Sequence, residues 1–258
     1  MKLTDCPSPS DPVKTVLNEE IKTMIIGHIG ARGGSKGVPG KNFKNLHGKP
    51  LIDWSLDQLF ACEKVDHVVV SSDDPAIYAH GLQRGGLDIG IRPNHLANDT
   101  AGKWGVWQHA LGEVEKITGP VTTFIDLDCT SPLRLQEDLD GALALYTTEL
   151  PDMVMSCCES RKNPYFNILE LDAAGSLHVS KPLPGGVVAR QQAPKVLDHV
   201  GLVYVLKPDY LRTATSLFEG RVIPYEVPGE RSLDVDSPID WEIIEFLMSR
   251  QIKAGLKG

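Results

Sequence analysis

The chain has 258 residues, a formal net charge of −8 and 41% hydrophobic residues. That length can bury the core of one large α/β domain, and the acidic balance excludes a protein built to coat nucleic acid or an anionic membrane. Cys6, Cys62, Cys129, Cys157 and Cys158 form neither a CxxC pair nor a zinc spacing, which fits reduced thiols in a cytoplasm.

In chain order, "MKLTDCPSPSDPVKTVLNEE" lacks the apolar centre of a signal peptide, and residues 1–22 are expected to form a flexible tail before one domain over residues 23–258. Apolar runs then alternate with amphipathic stretches. "TMIIGHI", "HVVVSS", "VTTFIDLD" and "PDMVMSCC" read as strands; "PLIDWSLDQLFAC", "DPAIYAHGLQRG", "TAGKWGVWQHALGEVEKI" and "LQEDLDGALALYTT" read as helices. Such alternation predicts βαβ units and a doubly wound, mostly parallel sheet covered on both faces. The pattern breaks over about residues 163–195, where Pro, Gly and polar residues dominate; this segment is too long for an ordinary connection and is expected to be a hairpin subdomain or oligomerisation arm. "HVGLVYVLK" and "RVIPYEVP" resume the strand pattern. A final helix follows, with apolar spacing at Ile239, Ile243, Ile244 and Leu247. No apolar run approaches the length of a membrane span.

Behind the first strand lies "ARGGSKGVPGKN". Bare glycine backbone lets amides approach phosphate oxygens, and Arg32, Lys36 and Lys41 add charge-assisted donors at the edge where open α/β sheets bind ligands. The spacing satisfies neither GxxxxGK[ST] nor GxGxxG. Taken alone, it indicates a phosphate site. Farther on, "SLDVDSPID" places Asp234 and Asp236 two apart. In extended backbone both carboxylates share a face and can meet one magnesium ion; equally, Asp236 or Ser237 before Pro238 can cap a helix.

"ARGGSKGVPGKNFKNLHGKPLIDWSL" resembles the amino-terminal signature of the CMP-sugar synthetases, in particular the N-acylneuraminate cytidylyltransferase family. "VVVSSDD", "IRPNHLANDTAG", "TSPLR", "RQQAPK" and "ERSLDVDSPIDWE" match in order, so the resemblance covers nearly everything from Met24 onward. It implies a nucleotide-diphospho-sugar transferase-like fold and a reaction in which the anomeric hydroxyl of a keto-sugar acid attacks the α-phosphate of CTP. A divalent metal, Mg2+, would assist. By the same resemblance, Ala31, Arg32, Gly34, Ser35, Lys36, Lys41 and Asn42 cradle the nucleotide and Arg92 lies near the cytosine. Arg32, Lys36 and Asp234 are the expected catalytic residues, with Asp234 and Asp236 at the metal. Arg190, Gln191, Asp128 and Tyr165 are expected at the sugar, Arg190 as a guanidinium partner for its carboxylate. A homodimer joined through residues 163–195 is implied, and neither nucleic acid nor membrane is an expected partner. His28, His47 and His109 are read as structural or peripheral.

The sequence departs from the family pattern at three places. "DLDCTSPLR" carries Asp126, Asp128 and Cys129 where sialic-acid enzymes usually have glutamine and proline; Gly102 and Lys103 stand where small hydroxyl residues lie near the base; and Val200 replaces an asparagine. "DLDCTSPLR" with "NPYFNILEL" instead resembles the branch associated with bacterial legionaminate-type sugars, for which Tyr165 and Phe166 would supply apolar surface. The alternatives are a CMP-activating enzyme for pseudaminate or an eight-carbon ulosonate, and a noncatalytic nucleotide-sugar-binding protein.

Overall fold

The computed structural model describes residues 23–35, 37–98 and 101–257. The expected tail over residues 1–22 and the expected catalytic Lys36 lie outside the described residues. The strands are β1 (Ile25–Gly30), β2 (Asn45–Leu46), β3 (Lys49–Pro50), β4 (His67–Ser71), β5 (Thr123–Leu127), β6 (Met153–Glu159), β7 (Leu169–Leu171), β8 (Leu177–Val179), β9 (Leu197–Leu206) and β10 (Val222–Glu226). The helices are α1 (Asp53–Ala61), α2 (Pro75–Gln83), α3 (Lys103–Thr118), α4 (Gln136–Glu149), α5 (Pro208–Thr213) and α6 (Pro238–Lys253).

Six strands form the central sheet in the order β10-β6-β9-β5-β1-β4. Only β9 runs antiparallel to its neighbours; the pairs β1–β4, β1–β5 and β10–β6 are parallel. Near-continuous apolar runs such as "HVVVS" suit strands covered on both faces. The sheet does have two buried faces: Ile29, Leu56, Leu59, Leu139 and Val154 pack in one cluster, Ile26, Trp107, Leu111, Phe124 and Tyr204 in the other. A third cluster joins Val38, Leu46 and Trp54 to Val235 and α6.

Pleating therefore sends alternate β1 side chains to opposite faces. Gly27 is bare because a Cβ there would come within 2.7 Å of Leu59, which fits α1 tightly against the strand. His28 points the other way, among Phe124 and the α3 side, and is fully buried.

The final helix corrects the expected apolar face. Trp241, Ile244 and Met248 are its buried residues, whereas Ile239 and Ile243 are exposed. The phase is set at the start of the helix: the Ser237 side chain accepts from the Asp240 amide, Asp240 accepts from the Ser237 amide, and Pro238 occupies the first turn. Trp241 is then turned inward beneath Lys44, whose Nζ lies 4.0 Å from the ring centroid.

Residues 163–195 do carry a hairpin, β7 with β8, separate from the main sheet. Its Leu169, Leu171 and Leu177 are all exposed.

Candidate active site

A cavity of about 430 Å³ opens at the carboxyl ends of β1 and β5. The loop after β1 forms one wall and contributes Ala31, Arg32, Ser35, Lys41 and Asn42; Gly34 is not part of the lining. The loop is held by specific contacts. The Asn42 side-chain amide donates to the Arg32 carbonyl (3.0 Å), and the Cys129 thiol donates to Asn42 Oδ1 (3.2 Å). Burial pushes the Cys129 thiol up to about 12, so it remains protonated and able to donate.

The segment bearing Asp234 and Asp236 closes onto this loop. Val235 is completely buried and its amide donates to the Thr130 carbonyl (2.8 Å), so the aspartates on either side are both turned outward. Lys41 Nζ donates to the Val235 carbonyl and lies 3.6 Å from Asp236. Gly37 is required here: a Cβ would approach the Asp236 carbonyl oxygen to 1.8 Å. Because Ser237 supplies the helix cap, capping does not occupy Asp234 or Asp236.

Asp236 lines the cavity and Asp234 is hydrogen-bonded to it. Partial burial and the adjoining Asp236 carboxylate raise Asp234 to about 6. Like-charge repulsion of this kind is relieved by a bound cation. Among the described residues no three acidic, histidine or cysteine side chains gather into a metal site. Two carboxylates, with substrate phosphate and water supplying the remaining oxygens, nevertheless suit magnesium. The residues present fit that ion.

Arg92 is buried, not a surface arginine. Its Nε donates to Ser71 Oγ (2.9 Å), its Nη2 to the Ser71 carbonyl, and it lines the same cavity. Burial lowers its pKa, against the pull of Asp73 and Asp126.

Two of the sequence departures prove to be one structure. Lys103 Nζ lies 2.5 Å from Asp128 Oδ1 and 3.1 Å from Asp126 Oδ2, while the other Asp126 oxygen lies 2.6 Å from His28 Nδ1. Burial alone would lower the lysine and raise Asp126. The attraction outweighs both effects: Lys103 is raised and Asp126 falls to about 2. Asp128 is raised, by burial and by Asp126, against Lys103. It fits where it does because Gly201 has no side chain; a Cβ would come within 2.1 Å of Asp128 Oδ2. His28, expected to be structural or peripheral, lines the cavity. A histidine inside the apolar run "IIGHIG" was the available signal.

The expected sugar residues are divided. Asp128 lines the main cavity, whereas Arg190 and Gln191 line a second one, about 420 Å³, with Glu159, Ser160 and Asn163. Arg190 Nη2 donates to the Ser160 carbonyl and lies 3.7 Å from Glu159. Tyr165 lines neither cavity; Lys181 Nζ lies 5.9 Å from its ring centroid. Val200 is buried in the core, and its carbonyl accepts from Ser156 Oγ (2.7 Å).

An open sheet with Arg32, Lys41 and Asp236 gathered at one carboxyl-edge cavity has the arrangement expected of a nucleotidyltransferase. Within that class the chain belongs to the cytidylyltransferase family, whose profile matches residues 26–165. It is 33% identical over 228 residues to the post-translational flagellin modification protein B of Campylobacter coli, covering 88% of this chain and 96% of that one. It is likewise 33% identical over 226 residues to the CMP-N,N'-diacetyllegionaminic acid synthase of Campylobacter jejuni, covering 87% and 95%. An N-acylneuraminate cytidylyltransferase of Escherichia coli is 31% identical over 86% of this chain, which spans about half (52%) of that longer protein. Among solved structures, a CMP-2-keto-3-deoxy-manno-octonic acid synthetase complexed with CTP superposes with a TM-score of 0.63 at 20% identity, over 89% of this chain and 100% of that one. At that identity the likeness speaks for the fold. No helix among the described residues is long and apolar enough to cross a membrane.

Proposed function

We propose that this cytidylyltransferase moves CMP from CTP to the anomeric hydroxyl of a nine-carbon keto-sugar acid of the legionaminate or sialate type. A bond forms between the anomeric oxygen and the α-phosphorus, the bond from that phosphorus to the α,β-bridging oxygen breaks, and pyrophosphate leaves. The observation that carries this reading is the contact of the cationic loop with the carboxylate segment, through Lys41 on the Val235 carbonyl and Gly37 against Asp236. Triphosphate and metal would thereby meet in one place, where charge develops as pyrophosphate departs. Arg32, Lys36 and Lys41 hold the phosphates in this reading. Asp234 and Asp236 hold Mg2+, which would polarise the phosphoryl oxygens when bound.

The legionaminate-type acceptor is supported by the Campylobacter relatives and by the Lys103, Asp126 and Asp128 cluster, which replaces uncharged residues of the sialate pattern. The working form is a cytoplasmic homodimer in which residues 163–195 of a second copy complete the sugar site. The exposed Leu169, Leu171 and Leu177, and the separation of Arg190 from the main cavity, support that arrangement.

The test is magnesium-dependent pyrophosphate release from CTP with N-acetylneuraminate, legionaminate, pseudaminate and an eight-carbon ulosonate. Legionaminate should give the highest kcat/KM. Faster turnover of neuraminate would overturn the branch assignment, and CTP binding without release from any acceptor would overturn the transfer reading.

A further inference from the structure

His28 is fully buried, yet its Nε2 has no hydrogen-bond partner among the described residues. Trp107 Nε1 is buried and unpaired as well, and both residues line the main cavity. Buried polar atoms left without partners are costly, and two of them at one cavity point to a ligand that supplies what they lack.

The hydrogen-bonding character of His28 follows from its neighbours. Lys103, 3.1 Å from Asp126 Oδ2, keeps that carboxylate ionised, and an ionised carboxylate can only accept. The proton between Asp126 and His28, 2.6 Å apart, therefore belongs to Nδ1. With the proton on Nδ1, the neutral form of the ring presents a bare lone pair at Nε2. Arg92 bounds the same region. A Cβ on Gly30 would lie 3.4 Å from both Arg92 Nη2 and His28 Cε1, so the glycine leaves bare backbone between a guanidinium and this imidazole.

We propose that His28 reads the amino group of the cytosine base through the Nε2 lone pair, with Asp126 and Lys103 as the positioning residues that fix its tautomer. The inference rests on the nucleotide reading above and adds to it the residue that separates cytidine from uridine. Cytosine carries an N4 amino donor beside the N3 and O2 acceptors, whereas uracil offers an O4 acceptor and an N3–H donor. A lone pair at Nε2, with N–H donors on Trp107 and Arg92, matches the first pattern. Uracil would set oxygen lone pairs against Nε2 and leave it unpaired. Val106 and Leu96 supply apolar wall for a flat ring in the same cavity.

The experiment measures CTP and UTP binding to the full chain by titration calorimetry, without sugar, so the result does not depend on the acceptor. The unsubstituted protein should prefer CTP by about 100-fold. His28→Phe keeps a ring but removes the lone pair; CTP affinity should fall by about tenfold or more while UTP affinity holds, narrowing the ratio. Asp126→Asn can donate to Nδ1, which puts the proton on Nε2, and should shift the preference toward UTP. Nitrogen-15 NMR of the unsubstituted protein gives a readout that needs no folded variant: the His28 signals should show the Nδ1–H tautomer, and Nε2 should move on adding CTP but not UTP. Equal binding of both nucleotides, an unchanged ratio in a folded His28→Phe protein, or an Nε2–H tautomer would each overturn the inference. Selective CTP binding without pyrophosphate release would instead remove the transfer reading and leave this one standing.

Discussion

The main cavity and the 163–195 segment differ in how their polar groups are held. Around the cavity the walls are tied together by several contacts: Asn42 to the Arg32 carbonyl, Lys41 to the Val235 carbonyl, and Lys103 to two carboxylates on the strand-and-loop segment that also faces His28. In the 163–195 segment the hairpin turns its leucines to solvent, and Arg190 contacts Ser160 and Glu159 beside a cavity of its own. The first region is preorganised within one chain. The second leaves Leu169, Leu171 and Leu177 uncovered by its own chain, and the sharpest tests set the two regions against each other.

The largest effect is expected at the carboxylate pair. Asp234→Asn should cut magnesium-dependent turnover by about 100- to 1,000-fold while leaving CTP affinity measured without magnesium near its original value, as calorimetry beside a pyrophosphate assay would reveal. Unchanged turnover would remove Asp234 from the metal site. Gly37→Ala comes next: a methyl group 1.8 Å from the Asp236 carbonyl oxygen must part the loop from the carboxylate segment, so kcat should drop by about tenfold or more with the fold intact by circular dichroism.

The 163–195 segment calls for a complementation test. Arg190→Ala and Asp234→Asn should each be nearly inactive alone. If a second copy completes the sugar site, chains mixed under conditions that allow exchange should regain about a quarter of full activity, because half of the dimers are mixed and each of those has one intact site. No recovery in a verified mixed dimer would confine the site to one chain.

The smallest effect concerns stability and pH. Asp234 is raised from 3.8 to about 6 in the folded protein, so the fold binds its proton more tightly than the unfolded chain does. This contribution is present below pH 4 and is lost as pH rises through 6. Metal-free protein should therefore lose some thermal stability between pH 4 and 6, and magnesium should raise Tm more at pH 7 than at pH 5. Asp234→Asn should flatten both trends in differential scanning calorimetry.

Much of the main cavity's loop wall was legible in the sequence because its signals are local. Glycines and cations crowd one loop, and "DVD" declares its two-residue period. The burial of Arg92 was not legible, since Arg-Pro reads equally well as a surface turn. Lys103 and the two aspartates looked like separate departures because 23 to 25 residues divide them; only the packing of α3 over β5 shows one ammonium serving both carboxylates. Only half of the α6 face was legible: Ile244 is buried and Leu247 packs beside it, but Ile239 and Ile243 are exposed, because the Ser237–Asp240 cap turns Trp241 and Met248 inward instead.

The contact of Gly37 with the Asp236 backbone has a thermodynamic side. On the proposed reading, a loop for phosphate and a segment for a cation, pressed together without room for a methyl group, cannot settle independently. The two binding equilibria are therefore linked and reciprocal: whatever factor a divalent cation adds to nucleotide affinity, the nucleotide must return to the cation.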